Sequence, residues 1–126
     1  MQVKCEVSLG ELVDKLTILK IKTEKIIDPI KNEYALQESK LLEKILSELK
    51  LDGVEAMMGE LKKVNEELWL IEDLIRDKEK EKKFDAEFIE LARRVYQTND
   101  KRFKIKNEIN FHFGSAIKEV KSYQEY

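Results

Sequence analysis

The segment between residues 54 and 75 carries the clearest pattern in the chain, because its apolar residues recur at alternating steps of three and four. These residues are Val54, Met57, Leu61, Val64, Leu68, Ile71 and Ile75. At about 100° per residue they form one stripe on a helix, and a helix with such a stripe packs against other helices. We predict a long central helix that continues to about Lys82, with Asp52 and Glu55 as its N-terminal cap pair.

A first helix is predicted to begin at Ser8. Its hydroxyl can accept a hydrogen bond from the backbone N–H of Glu11, while the Glu11 carboxylate reaches back to the amide of Ser8. The helix ends before Pro29, because the proline ring disfavours helical geometry at Asp28. The residues predicted to be buried again follow steps of three and four: Leu9, Leu12, Leu16, Leu19, Thr23 and Ile26.

Two further helices complete the predicted architecture. The second spans about residues 30–49, with Asp28 as its cap and Pro29 as its first residue. Its predicted buried side consists of Tyr34, Leu41, Leu42, Ile45, Leu46 and Leu49. The fourth helix opens with Asp85 as its cap and ends at Gly114. Its predicted inner side consists of Phe88, Leu91, Ala92, Val95, Ile105 and Ile109. Four amphipathic helices with short connections predict an all-α fold, an antiparallel bundle of about four helices.

Residues 2–7 alternate polar and apolar side chains, with Val3, Cys5 and Val7 on one side. This alternation predicts a short N-terminal strand. The later segment that could pair with this strand is the tail from Val120 to Tyr126.

Composition narrows the class of protein. The chain has 126 residues, of which 40% are charged and 42% are apolar, and its formal net charge is −2. We predict a single domain over residues 1–126, made of long helices with solvated outer faces. The sequence has one cysteine, no signal-peptide core, and no apolar run near the roughly 20 residues that span a bilayer. These features favour a soluble cytoplasmic protein without membrane contact.

The central helix is apolar on nearly every side around residues 68–74. Trp69, Leu70 and Leu74 lie off its main stripe. A helix that is apolar all round is either covered on several sides or in contact with a second subunit. These three residues are therefore candidates for a homodimer contact, and the alternative is that the first helix and the tail cover them.

Two cations, Arg102 and Lys106, lie in the middle of the apolar face predicted for the fourth helix. Burying an unpaired charge is costly, so both need carboxylate partners, a bound anion or access to water. Glu72 on the central helix is the natural partner for Arg102, and such an ion pair would fix the packing of the bundle. The alternative is a polar pocket between helices that holds a small anion or a metal ion. The residues predicted to line that pocket are Glu72, Asp73, Arg76, Asn99, Arg102 and Lys106.

A second polar cluster lies on the first helix. Glu11 and Lys15 are spaced four residues apart, and Asp14 lies close to them. Such a pair contributes only a few tenths of a kcal/mol when it is exposed. We expect this cluster to form a solvated face.

Other motifs do not assign a chemistry. Acidic residues on the central helix, among them Glu72 and Asp73, invite comparison with all-helical nucleotide pyrophosphatases, but no matching acidic pair occurs on another inner face. Helical chorismate mutases need basic residues aimed at a dicarboxylate, and no arginine precedes Arg76. His112 has no second His or Cys at ligand spacing, so no metal ligands are assigned and no cofactor is named. The basic face of the fourth helix lacks an aromatic platform, so we expect it to be solvated and not to bind nucleic acid.

Four blocks of sequence carry a resemblance. They are residues 7–19 (V-S-L-G-E-L-V-D-K-L-T-I-L), 67–73 (E-L-W-L-I-E-D), 92–102 (A-R-R-V-Y-Q-T-N-D-K-R) and 121–123 (K-S-Y). Together they resemble a family of functionally uncharacterised bacterial and phage proteins. The resemblance implies no known activity, and in bacteria it implies a location among surface-polysaccharide genes. It directs attention to the polar members of the blocks: Glu11, Asp14, Lys15, Glu72, Asp73, Asn99, Asp100 and Arg102.

The sequence leaves two functional hypotheses open. The first is a non-enzymatic helical interaction protein, dimeric, that acts through protein–protein contacts. The second is a small-ligand- or metal-dependent enzyme, for example in nucleotide or nucleotide-sugar chemistry, that uses the inter-helix polar residues. A pocket open to solvent at Arg102, Lys106 and Glu72 would favour the second hypothesis, and a sealed ion pair would favour the first.

Overall fold

The computed structural model describes residues 1–123 and residue 125 of the chain. Within them the structure contains four α-helices and no strand, so the fold is the predicted all-α bundle. The helices are α1 (Leu9–Lys25), α2 (Pro29–Glu48), α3 (Val54–Lys80) and α4 (Ala86–His112). No helix in the described part of the chain is both long enough and apolar enough to cross a membrane.

The helix around which the others pack is α1. It contacts α2, α3 and α4, and α3 and α4 pack on each other, whereas the backbone of α2 approaches only α1 among the described helices. The apolar stripe on α3 is confirmed as buried or partly buried, but the central position that we predicted for α3 belongs to α1. Because α1 is surrounded, its burial extends beyond the predicted stripe to Val13, Thr17 and Ile21, each at most 1% exposed.

The apolar core lies where α1, α3 and α4 meet. Val13, Val54, Leu61 and Ile109 form a buried cluster, and Leu46 of α2 packs against its edge. Full burial of an aliphatic side chain of this size stabilises the fold by about 1.5–3 kcal/mol. This cluster fixes α1 against α4, and the polar groups described below lie along the same contact.

Hydrogen bonds confirm three of the predicted helix starts. The side chains of Ser8, Asp28 and Asp85 each accept from backbone N–H groups in the first turn of α1, α2 and α4. Such caps satisfy donors that the helix itself leaves free, and each contributes about 1 kcal/mol in typical cases. Gly114, with a φ of 66°, follows the end of α4 as predicted.

The predicted cap pair of α3 is wrong. Asp52 and Glu55 are both exposed, and no side chain accepts a hydrogen bond at this helix start. Gly53 occupies the cap position with a φ of 82°, a conformation that glycine adopts without the steric cost of a Cβ. The turn from α2 into α3 therefore depends on backbone freedom and not on a capping side chain.

The strand predicted at residues 2–7 does not form. This segment has no regular structure, and apolar side chains such as Val3 are exposed. The described residues 115–123 of the tail are also irregular, so no strand is available to pair with it, and an unpaired strand is not stable. Gln124 and Tyr126, which belong to the predicted partner segment, lie outside the described residues.

The apolar face of α2 is only partly buried. Ala35 and Ser39, both small, are buried, and Leu42 and Leu46 are partly buried. The other four residues predicted to be buried are exposed: Tyr34, Leu41, Ile45 and Leu49. The predicted stripe was wider than the side that one neighbouring helix can cover. A second apolar face is consequently left open to solvent.

The inner face of α4 is confirmed, since all six residues predicted for it are buried or partly buried. The same face also buries three polar residues, Thr98, Lys106 and Asn110, none of which is more than 5% exposed. Buried polar groups need hydrogen-bond partners, and those partners define the candidate site.

Candidate functional site

Asp14 of α1 is the most buried charged residue in the described part of the chain, at 1% exposed. Arg102 of α4 binds its carboxylate through two hydrogen bonds, from Nε to Oδ1 at 2.9 Å and from Nη2 to Oδ2 at 2.5 Å. This contact holds the pKa of Arg102 above its ordinary value. Asn65 of α3 donates a third hydrogen bond, from Nδ2 to Oδ1 at 2.9 Å. One carboxylate thus joins three helices.

Lys106 of α4 forms the second ion-pair centre. Its Nζ lies 2.7 Å from Oε2 of Glu11 on α1 and 2.8 Å from Oε2 of Glu119 in the tail. Burial by itself would lower the pKa of Lys106, but the hydrogen bond to Glu11 and the ion pair with Glu119 outweigh this effect, so the pKa lies above its ordinary value. We call Glu11, Asp14, Asn65, Arg102 and Lys106 the polar cluster.

A close backbone contact between α1 and α4 supports the polar cluster. Gly10 donates its N–H to Oδ1 of Asn110 at 2.6 Å. A Cβ on Gly10 would lie 2.5 Å from the backbone oxygen of Lys106. Only glycine therefore fits at this crossing without moving one helix, and the short separation lets the side chains of the cluster reach each other.

The described tail residues, from 115 to 123, pack over this contact. Ser115 Oγ accepts from the backbone N–H of Leu9 at 3.2 Å. Lys121 lies 3.6 Å from Asp100 and over the ring of Phe103 at 5.2 Å from its centroid. The tail therefore closes one side of the polar cluster and leaves a small cavity of about 250 Å³ there.

A larger groove of about 380 Å³ opens on the other side of Arg102, between α1, α3 and α4. Arg102 lines both the groove and the small cavity. We call the larger space the groove. Its walls are Ile18, Ile21, Asn65, Leu68, Trp69, Glu72, Asp73, Arg76 and Arg102. This volume falls within the range of small-molecule sites, which are mostly apolar with a few polar groups.

The structure corrects the predicted partner of Arg102. Glu72 lines the groove, but its ion pair is with Arg76, one turn along the exposed side of α3 at 3.3 Å. Arg102 pairs with Asp14 and not with Glu72, because the central position of α1 places the Asp14 side chain directly opposite α4. Asp73 and Arg76 are exposed at the rim of the groove, and Asn99 lies 3.5 Å from Arg102 Nη1.

The solvated face predicted for α1 is also wrong in part. Asp14 is buried against Arg102, whereas Glu11 pairs with Lys106 and keeps its side chain 47% exposed. Lys15 matches the prediction: it is exposed and pairs with Glu38 of α2 at 3.2 Å. The expected Glu11–Lys15 pair is thus replaced by two contacts to different helices.

Sequence reasoning missed three polar groups that complete the arrangement. Thr17 accepts a hydrogen bond from Asn65 at 2.8 Å, and Asn110 accepts one from the backbone N–H of Gly10. Glu119 forms an ion pair with Lys106. No pattern in the sequence predicted that Thr17 and Asn110 are buried, because each is a polar residue beside an apolar one. Asn65 did carry a signal, since it interrupts the apolar stripe of α3.

The donor set for a metal ion is not assembled in the described residues. No group of three or more His, Cys, Asp or Glu side chains lies together there. The carboxylates of the polar cluster instead face cationic side chains.

The fold and the polar cluster define a class: an all-α protein in which buried ion pairs join α1 to α4. The chain belongs to a family of unknown function, DUF6165, whose family model matches residues 3–126. No curated protein and no solved structure matches the chain significantly. The family description assigns no activity.

Proposed function

We propose that the protein is a non-enzymatic interaction protein that acts as a homodimer, and that two copies pair through the exposed face of α2. The observation that carries this proposal is a row of apolar side chains that are between 49% and 69% exposed. At helical spacing they share one side of the helix. We call them the α2 stripe: Ile30, Tyr34, Leu41, Ile45 and Leu49. Isolated exposed apolar residues are ordinary, but five that share one side of a helix indicate an interaction surface.

The size of the α2 stripe suits a pair of chains. Half-exposed side chains of this kind offer on the order of 100 Å² each, so the stripe offers on the order of 500 Å². Two copies in contact would bury on the order of 1,000 Å², which reaches the lower range of specific protein–protein interfaces.

The apolar positions of the α2 stripe are self-complementary when two copies run antiparallel. With the two-fold axis near Ser39, Ile30 would lie opposite Leu49 of the second copy. In the same register Tyr34 would lie opposite Ile45 of the second copy. Each copy thus supplies these four residues in reverse order, as an isologous two-fold interface requires, while Leu41 lies beside the axis and level with Glu38 of the second copy.

Charges beside the α2 stripe fit the same register. In that register Glu33 would lie level with residue 46 of the second copy. Lys44 of that copy is then two residues, about 3 Å, away along the helix axis, which a lysine side chain can span, and the two-fold axis repeats this pair. Glu33 accepts one hydrogen bond, from Gln37 at 3.4 Å. Neither Glu33 nor Lys44 belongs to an ion pair within the described residues, so both are free to pair across an interface.

The pairing within the polar cluster supports a non-enzymatic role. Arg102 is engaged by Asp14, and Lys106 by Glu11 and Glu119. A catalytic acid, base or anion-binding group must be available to a substrate. These ionised side chains instead neutralise each other, and as buried ion pairs they fix how α1 lies on α4.

Two surface features support the remaining parts of the proposal. Cys5 is a free and exposed thiol, which suits a reducing compartment, and we place the protein in the cytoplasm. Arg94 and Lys101 lie 3.8 and 4.0 Å from Glu67, so the basic face of α4 is partly neutralised. We therefore propose a protein partner and not a nucleic acid.

The mass in solution tests the proposal. Wild-type protein in an equilibrium sedimentation series is expected to reach the mass of two chains. Leu41→Glu is expected to return it to one chain, because it places a charge in the middle of the apolar contact. Leu70→Glu is the matched control, since Leu70 on α3 is 54% exposed and Leu41 is 51% exposed.

The same series decides between contacts. A dimer dissociated by Leu70→Glu and not by Leu41→Glu would place the contact at Trp69, Leu70 and Leu74 and refute pairing through α2. Wild-type protein that stays at the mass of one chain at every concentration would refute self-association. Glu33→Lys is expected to weaken the dimer, and adding Lys44→Glu is expected to restore it.

A further inference from the structure

The inner end of the groove presents a hydrogen-bond acceptor without a partner in the described residues. Thr17 Oγ1 donates its only proton to the backbone oxygen of Asp14 at 2.7 Å, so toward Asn65 it can only accept. The Asp14 carboxylate also only accepts. Asn65 must therefore turn its Nδ2 to both, at 2.8 and 2.9 Å, which fixes the orientation of its amide. Its Oδ1 is left over, on a side chain that is 5% exposed and lines the groove.

Arg102 supplies a donor beside this acceptor. A guanidinium has five N–H groups. Asp14 takes two of them, and Asn99 Oδ1 lies 3.5 Å from Nη1, which is a weak contact. The remaining N–H groups are on a side chain that lines the groove. Arg102 Nε and Asn65 Nδ2 donate to the same oxygen, Asp14 Oδ1, so the two side chains are immediate neighbours.

Apart from the charged residues Glu72, Asp73 and Arg76, the rest of the groove is apolar and includes one aromatic ring. Ile18 and Ile21 of α1 form one wall, and Leu68 and Trp69 of α3 form the other. An indole offers a flat surface against which a planar ligand can stack. The charge of Arg102 is already balanced by Asp14, so the inner end of the groove favours a neutral ligand over a free anion.

We propose that the groove binds a small planar molecule whose edge carries an N–H donor next to a carbonyl acceptor, as the lactam edge of a nucleobase does. The N–H would donate to Asn65 Oδ1, and the carbonyl oxygen would accept from Arg102. The ring would lie between the aliphatic wall and Trp69. This site is separate from the α2 stripe, so its test does not depend on the dimer.

Fluorescence of Trp69 gives a direct measurement, because it is the only tryptophan in the sequence and it lines the groove. Uracil is the probe, and uracil methylated on both ring nitrogens is the matched comparison that lacks the donor. We expect uracil to change the fluorescence saturably. We expect the methylated form to bind several-fold to about ten-fold more weakly, because Asn65 Oδ1 loses its partner.

Two substitutions locate the binding. Ile18→Phe fills the groove without removing any hydrogen bond of the polar cluster and is expected to abolish the response to uracil. Ile89→Phe makes the same change at an exposed position of α4 that does not line the groove, and it is expected to leave the response intact. A response that survives Ile18→Phe would refute the site.

Asn65→Ala tests the recognised edge. The variant is checked for folding by circular dichroism, and it is expected to bind uracil no better than the methylated form. The absence of a saturable response in the wild type would overturn the proposal, as would equal binding of the two compounds or a preference that persists in Asn65→Ala. If Asn65→Ala does not fold, the comparison of Ile18→Phe with Ile89→Phe decides the question.

Discussion

Replacing Arg102 with methionine tests whether the Asp14 pair holds α1 on α4. Methionine keeps the apolar stem but removes both hydrogen bonds to a carboxylate that is 1% exposed. Asn65 then remains as its side-chain donor. Removing one partner of a buried ion pair costs about 3–5 kcal/mol, because the other charge stays buried and unpaired. The Arg102 side chain is itself 27% exposed, which lets water approach and favours the lower end of that range, about 3 kcal/mol.

The expected loss is large enough for routine measurement. For a chain of this length each kcal/mol moves Tm by roughly 3–5 °C, so Arg102→Met is expected to lower Tm by roughly 10–15 °C. Urea denaturation followed by circular dichroism gives the free energy of unfolding. Arg94→Met is the control, since Arg94 lies 3.8 Å from Glu67 on the surface of the bundle. That exposed pair is expected to contribute less than about 1 kcal/mol.

A double variant distinguishes the ion pair from simple loss of packing. Asp14→Leu combined with Arg102→Met removes both charges together, and buried ion pairs can often be replaced by apolar residues at little net cost. We expect the double variant to be more stable than Arg102→Met alone by at least about 1 kcal/mol. A loss below about 1 kcal/mol for Arg102→Met, or a double variant that is less stable still, would refute the reasoning.

Two further substitutions test the contact between α1 and α4. Gly10→Ala is expected to destabilise the protein by about 1–3 kcal/mol in urea denaturation, because its Cβ would meet the Lys106 backbone, whereas Gly59→Ala, with open space around it, is expected to stabilise by about 0.5–1 kcal/mol. Equal effects at the two glycines would contradict the close approach. Lys106→Met removes a lysine whose pKa is raised in the folded state, so the contribution of Lys106 is complete below the unfolded value of about 10.4 and is lost as pH rises through the higher folded value. The difference in unfolding free energy between wild type and Lys106→Met should stay constant from neutral pH to about pH 10 and shrink above it. A difference that already shrinks between neutral pH and about pH 10 would contradict this assignment.

The helices could be predicted because their signals are local. Apolar periodicity, the caps at Ser8, Asp28 and Asp85, and the glycine after α4 depend on residues within a few positions of one another. The predicted cap of α3 and the predicted N-terminal strand were wrong, because neither depends on the apolar periodicity of the sequence. Gly53 replaced a side-chain cap, and a strand needs a partner whose presence is decided elsewhere in the chain.

The polar cluster shows where sequence reasoning stops. A charge inside an apolar stripe must be paired, so Arg102 and Lys106 could be identified from α4 alone. Their partners could not, because the choice between Glu72 and Asp14 depends on which helix lies across from α4. By its position in the sequence Asp14 lies beside the apolar stripe of α1. The side of α1 that carries Asp14 is buried only because three other helices surround α1.

The same geometry links stability to the proposed recognition in the groove. The carboxylate of Asp14 accepts from both Arg102 and Asn65, and this shared oxygen is what sets their donor and acceptor side by side. A substitution at Asp14 would therefore change folding and ligand binding together, and neither effect could be read separately. Ile18 lines the groove, and its side chain forms no hydrogen bond with these polar groups. A change at Ile18 therefore alters the space available to a ligand and leaves the Asp14–Arg102 ion pair in place.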